Sequence, residues 1–382
     1  MKKIYMDYAA TTPVAQEVLD AMKPYFGEKF GNSSSIHSFG REAEIALEDS
    51  RRTIAKLLGV APEEIYFTSG GTESDNFALK GIVFSNKDKG KHIITSQIEH
   101  HAVLNVCSWL EKQGFDVTYL PVDKYGLIDP KDVENAIRKD TILVSIMHAN
   151  NEIGTIEPID EMGKICKKNG VYFHTDAVQT VGKIPIPIKN VDLLSSSSHK
   201  LYGPKGVGFL YIKKGTNIES WQQGGGHERG MRSGTENVAG IVGFAKAYEI
   251  AKKKMAHEEK RLTKLREKLI KGILEIDDSW LNGHPEKRLP GNAHFCFNFI
   301  EGESLILLLD QEGIAASTGS ACSSKSLEPS HVLKALGLKP EETHGSLRLT
   351  LGKDTTEEDV EYTMKIVPSI VEKLRKISPF KR

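Results

Sequence analysis

Cysteine is scarce in this chain. Four residues in 382, at positions 107, 166, 296 and 322, form no C-x-x-C pair. That excludes a disulfide framework and fits a reducing, cytoplasmic setting. Long apolar runs are missing too. The longest stretches, such as "LILLL" at 305–309, are far too short to span a bilayer, so no membrane helix is expected. Neither sign of charge is in excess, with 51 basic residues against 51 acidic ones. No global field favours nucleic acid or an anionic membrane, and neither is expected as a partner. The opening "MKKIYMDYAATTP" has two lysines but no apolar h-region, so no secretory signal is expected. What the chain does have is bulk. With 39% hydrophobic residues in 382, it can build a large core and more than one domain.

From about residue 60 to 212, strand and helix patterns alternate. "EIYFTSG", "HIITSQ", "DVTYLPV", "TILVSIMHAN", "VYFHTDAV", "DLLSSSSH" and "GVGFLYIKK" read as strands. Between them lie helical patterns: "TESDNFALKGIVF" capped by Thr72, "HAVLNVCSWLEKQG", "PKDVENAIRK" with Pro130 in its first turn, and "IDEMGKICKKNG". This alternation predicts a mainly parallel α/β sheet, with its ligand site at the carboxyl ends of the strands. A long helix is expected over about 237–274. Its run "KKKMAHEEKRLTKLREKLIKG" mixes charge signs at helical spacing and reads as a solvated face. After Pro285, strands "NAHFCFNFI" and "GSLRLTLG" with further helices suggest a smaller α+β domain. The last helix starts with a capping-box pattern, Thr356 to Asp359.

The informative residues follow strands. "SGGTESDN" places Gly71 and Thr72 at a helix start, where free backbone N–H groups can cradle a phosphate. "HTDAVQT" puts Asp176 at a strand end, and "SSSSHKLYGPKG" puts Lys200 after the next strand. A lysine in such a place is expensive unless it is paired or its charge is removed. An anion-cradling turn, a strand-end Asp and a strand-end Lys are the parts of a pyridoxal 5'-phosphate site. The Asp holds the pyridine nitrogen protonated, and the Lys becomes part of a Schiff base. His100 and His101 have no Cys, Asp or Glu at metal-ligand spacing, so no metal is expected; one ring stacks on the cofactor and the other is left for the surface. Cys322 lies in "ASTGSACSSKSLEPS", which reads as an exposed, mobile loop. Cys107 and Cys166 fall in helical patterns and Cys296 in a strand, as packing thiols do.

The ordered motifs "YMDYAATTP", "GNSSSIHSFGR", "FTSGGTESDN", "EHHAV", "MHANNEIGT", "HTDAVQ", "SSSSHKLYGPKGVG", "GGGHERGMRSGTEN", "STGSACSS" and "SLRLTLG" run through essentially the whole chain. Together they resemble the cysteine desulfurases of the NifS/IscS type, within the fold-type I pyridoxal-phosphate superfamily. The resemblance implies a large domain over 14–258 with a mainly parallel seven-stranded sheet, and a small α+β domain made of 1–13 and 259–382. It implies that Lys200 carries the cofactor, Asp176 partners the pyridine nitrogen and Gln179 meets the ring hydroxyl. His100 would stack on the ring and shuttle protons. Thr72, Ser197 and His199 would hold the phosphate, and Thr235 would reach the phosphate of a neighbouring subunit in a homodimer. Asn151 and Arg348 would bind the carboxylate of L-cysteine. Cys322 would take its sulfur as a persulfide, leaving alanine, for an iron–sulfur scaffold or tRNA-thiolation protein. The rivals are an aminotransferase or selenocysteine lyase on the same scaffold, and a catalytically silent sulfur-assembly scaffold. One departure is Ser33, where the family usually has proline.

Overall fold

The structure, a computed structural model, describes residues 3–319 and 329–379. It opens with a two-residue strand, β1 (Ile4–Tyr5). Seven strands then build the main sheet: β2 (Ile65–Thr68), β3 (His92–Ser96), β4 (Asp116–Leu120), β5 (Thr141–Ser145), β6 (Tyr172–Asp176), β7 (Leu193–Ser197) and β8 (Gly208–Ile212). Their order is β2-β8-β7-β6-β5-β3-β4. From β4 to β7 every pairing is parallel, whereas β8 runs antiparallel to both β7 and β2. Two reversals restore the direction of β2. Its carboxyl end therefore lies on the same edge as those of β3, β5, β6 and β7, which is the edge where the site was expected.

A separate three-stranded antiparallel sheet consists of β9 (Ser279–Asn282), β10 (Asn292–Phe297) and, after the short β11 (Ile314–Ala315), β12 (Ser346–Thr350). The β11 strand pairs in parallel with β1 instead. Two large apolar clusters accompany this division. One gathers Val18, Ile54, Phe67, Phe173, Phe209 and Phe244 under the main sheet. The other gathers Met6, Leu269, Phe295, Leu309, Leu349 and Val371.

The Val238–Ile273 helix joins the two clusters. Its 36 residues span about 54 Å. Ile241, Phe244 and Tyr248 near its start enter the first cluster, and Leu265, Leu269 and Ile273 near its end enter the second. The charged run between them is mostly half-buried or exposed, as the mixed signs predicted. The last helix, Glu357–Ile377, begins with the expected capping box between Thr356 and Asp359. No helix among the described residues is long and apolar enough to cross a membrane.

One expectation about a helix start is corrected. Thr72 does not cap its helix: the helix runs Gly71–Ser85, so Thr72 lies inside the first turn and Gly70 takes the cap position without any side-chain bond. The close packing of this turn explains the shift. A Cβ on Gly71 would meet Val178 Cγ2 at 2.6 Å, and one on Gly208 would meet Gly70 Cα at 2.7 Å. Only glycine lets this turn lie against β8 and the segment after β6.

Candidate active site

The carboxyl ends of the strands open into a cavity of about 290 Å³. Its lining includes Gly71, Thr72, His100, Asn151, Asp176, Gln179, Ser197, His199, Lys200 and Arg348. Ten of the residues expected at the site thus converge from six separate chain segments. Two more were expected at the site. Thr235 is exposed and does not line the cavity. Cys322 lies outside the described residues.

Lys200 is half-buried in the short turn after β7. Its Nζ donates to the carbonyls of Ala9 and Ala10, at 2.6 and 2.7 Å. Gln179 Nε2 donates to the same Ala9 carbonyl at 3.0 Å, while its Oε1 accepts from Lys183 Nζ at 3.3 Å. Asp176 ends β6 and accepts the amide of Val178 at 2.8 Å. Burial raises its carboxyl to about 6, against the Val178 bond and the Lys200 ammonium, which hold it down.

His100 caps the His101–Lys112 helix, its Nδ1 accepting the amide of Ala102 at 3.1 Å. Burial, then Lys200 and two nearby histidines, lower its pKa to about 4. The ring is neutral near pH 7. Because Nδ1 is the acceptor, the ring proton sits on Nε2. His199 is similarly lowered to about 4, chiefly by burial, and its Nδ1 lies 3.0 Å from Thr11 Oγ1.

Arg348 comes from β12 of the small sheet and is 2% exposed. Its Nη1 donates to the carbonyls of Asn151 and Gly319, at 3.0 and 2.9 Å, and its Nη2 pairs with Asp7 Oδ1 at 2.8 Å. Asp7 was not expected from the sequence, because 341 residues separate it from Arg348. The N-terminal segment carries it there. Thr350 N–H donates to Met6 O and Ala9 N–H to Thr350 Oγ1, while Thr12 N–H donates to His199 O. This one extended strip therefore touches both sheets and supplies the carbonyls that hold Lys200.

His101 was expected at the surface, but it is half-buried at the cavity rim, with its ring centroid 4.8 Å from that of His331. His331 was missed. Its Nε2 bonds the carbonyl of Glu99 at 2.9 Å, and the one available signal was Ser330, which caps the helix it starts. The three described cysteines are all free and buried. Burial pushes Cys166 and Cys296 up to about 12 and Cys107 higher still, so none is a ready nucleophile. The cavity thus offers an amine, a strand-end carboxyl, a neutral imidazole, a buried guanidinium and a helix start whose amides have no side-chain cap.

The chain matches the aminotransferase class-V family over residues 4–363. It is 59% identical over 380 residues to the cysteine desulfurase IscS of Methanosarcina thermophila, covering 99% of this chain and 94% of that protein. Among solved structures, a NifS-like protein superposes with a TM-score of 0.92 at 42% identity, covering 98% of this chain and all of that one. A second, described as SspA in complex with cysteine, gives a TM-score of 0.81 at 38% identity, covering 92% and 99%. The chain belongs to the class V aminotransferase family.

Proposed function

We propose that this protein is a cysteine desulfurase. It binds pyridoxal 5'-phosphate and L-cysteine in the cavity around Lys200, releases alanine and passes the sulfur through Cys322 to an iron–sulfur cluster scaffold or another acceptor protein. The observation that carries this reading is the meeting of Lys200, Asp176, Gln179, His100 and Arg348 on one cavity, in a chain so similar to relatives that bear that name.

The residues fit the cofactor. The uncapped start of the Gly71–Ser85 helix, kept free of a Cβ by Gly71, suits a phosphate. Thr72, Ser197 and His199 would hold that phosphate. Asp176 would face the ring nitrogen, Gln179 the ring hydroxyl and His100 the ring plane, with Lys200 reaching the carbonyl carbon. The bound cofactor supplies an electron sink for negative charge on the substrate carbon. Arg348 and Asn151 bind and orient the substrate carboxylate. Lys200 Nζ takes the α-proton of cysteine and returns it. The Cys322 thiolate attacks the substrate sulfur and the carbon–sulfur bond breaks. The bonding pair stays with carbon, which gains a proton to become alanine, and Cys322 keeps the sulfur as a persulfide.

Two apolar clusters support a large domain over 14–258 and a small one made of 1–13 and 259–382. The exposed side of the chain supports a homodimer. Phe26, Phe30, Ile36, Phe39 and Ile45 are all more than half exposed, and Ile36 is 91% exposed. Patches of this kind mark association surfaces. Ser33 Oγ donates to Glu236 Oε2 at 2.7 Å, tying that segment to the loop of Thr235. Thr235, outside its own cavity, is then free to serve the phosphate of a second copy. The unpaired buried cysteines support a cytoplasmic setting. The direct test is to mix pure protein with cysteine and a reductant and to assay alanine and sulfide together. Equal amounts of both support the reading, and a keto acid in place of alanine refutes it.

A further inference from the structure

Beneath Asp176 lies a second carboxyl, which none of the roles above uses. Asp75, on the Gly71–Ser85 helix, lines the same cavity and is 1% exposed. Its Oδ1 has no hydrogen-bond partner among the described residues. The nearest basic group is His174, whose Nε2 lies 3.7 Å from that oxygen. His174 shares a face of β6 with Asp176, two residues on. It cannot supply a charge. Its ring lies between the hydroxyls of Ser145, at 2.8 Å, and Ser195, at 3.0 Å, and burial lowers its pKa to about 3.

The two carboxyls are unequal in what surrounds them. Asp176 accepts a backbone amide and faces the Lys200 ammonium. Asp75 has an orphaned oxygen beside a neutral ring. An ionised carboxylate buried with one oxygen unpartnered is costly, and two carboxylates in one buried site do not ionise together. We propose that Asp75 is a positioning residue, held as the neutral acid so that the charge of the pair rests on Asp176. This rests on the reading of Asp176 as the partner of the cofactor nitrogen, which needs that charge. Other groups agree with it. From the segment before the His101–Lys112 helix, Glu99 is itself raised to about 8 by burial and adds a smaller push in the same direction on Asp75, while His100 is neutral. Burial first, then Asp176, raises Asp75 well above the carboxylate range, against the Ser195 hydroxyl, which bonds the carboxyl and holds it down.

Infrared spectroscopy of the full chain, with and without pyridoxal phosphate, tests this. At neutral pH the wild type should show the carbonyl stretch of a protonated carboxylic acid that Asp75→Asn lacks; Asp75→Ser serves as a second variant if the first folds poorly. In Asp176→Asn, the same band should titrate at a lower pH by about 1 unit or more, because a like charge is gone. A difference spectrum with only an ionised carboxylate lost, or a band whose midpoint ignores Asp176→Asn, overturns the proposal. A chain that binds no pyridoxal phosphate would refute the reading of the site, and the infrared result would still decide the state of Asp75.

Discussion

The two walls of the cavity are assembled over very different distances along the chain. The wall at the edge of the main sheet comes from residues placed just past a strand: Asp176 at the end of β6, Ser197 at the end of β7, Lys200 three residues further on and His100 four residues after β3. Each inherits its position from a strand whose neighbours fix it on both sides. The wall from the small sheet rests on one buried arginine, which a carboxylate 341 residues away holds in place. The first wall is local and redundant. The second depends on the N-terminal strip staying seated between the sheets.

Breaking the first wall should cost the most in chemistry. Lys200→Ala should lower alanine production by roughly 10²–10⁴-fold or more, since it removes a positioned acid–base group. A kinetic assay for alanine checks this, and near-normal turnover would move the chemistry elsewhere. Breaking the second wall should act on substrate binding. Arg348→Gln removes charge-assisted hydrogen bonds and should lower kcat/KM for cysteine by about 10–100-fold, mainly through KM. A loss confined to kcat would assign Arg348 to another step.

Asp7→Ala separates the support from the group it supports. It leaves the Arg348 guanidinium buried without its counter-charge. Asp7 is itself partly open, with a side chain 19% exposed, so the loss should be about 2–3 kcal/mol, below that of a fully buried pair. Urea unfolding measures it, and an unchanged midpoint would show that the strip is held by its backbone bonds alone.

The last effect concerns pH. His148, 4% exposed, is lowered by burial to about 4 and lies 3.0 Å from Thr180 Oγ1. An unfolded histidine takes its proton near pH 6.5. Between about 6.5 and 4 the unfolded chain therefore binds the extra proton, and this residue's contribution to stability is lost as pH falls. The gap in Tm between the wild type and His148→Gln should shrink across that window. A constant gap would mean that His148 is not buried neutral.

The same contrast explains what could be read from the sequence. Asp176 and Lys200 were legible because apolar strands end just before them, and strand ends are where α/β folds place ligands. The long helix and the Thr356 capping box were legible from local periodicity and capping chemistry. The Thr72 cap was misread because a Gly-Gly-Thr turn carries two possible starts, and only the approach of Val178 and β8 selects the glycine. Asp7 could not be paired with Arg348, since the pairing depends on β1 joining β11 and on the bridge from Asp7 to Thr350. Asp75 looked like an ordinary helix residue within "TESDN", and only the fold sets it beside His174 under the cavity.

The most direct measurement is mass spectrometry of the pure protein after cysteine alone, with alanine counted in the same sample. The account predicts one extra sulfur on the peptide containing Cys322 and one alanine for each persulfide formed. Sulfur on Cys107, Cys166 or Cys296, or a Cys322→Ser variant that still releases alanine at the normal rate, would contradict it.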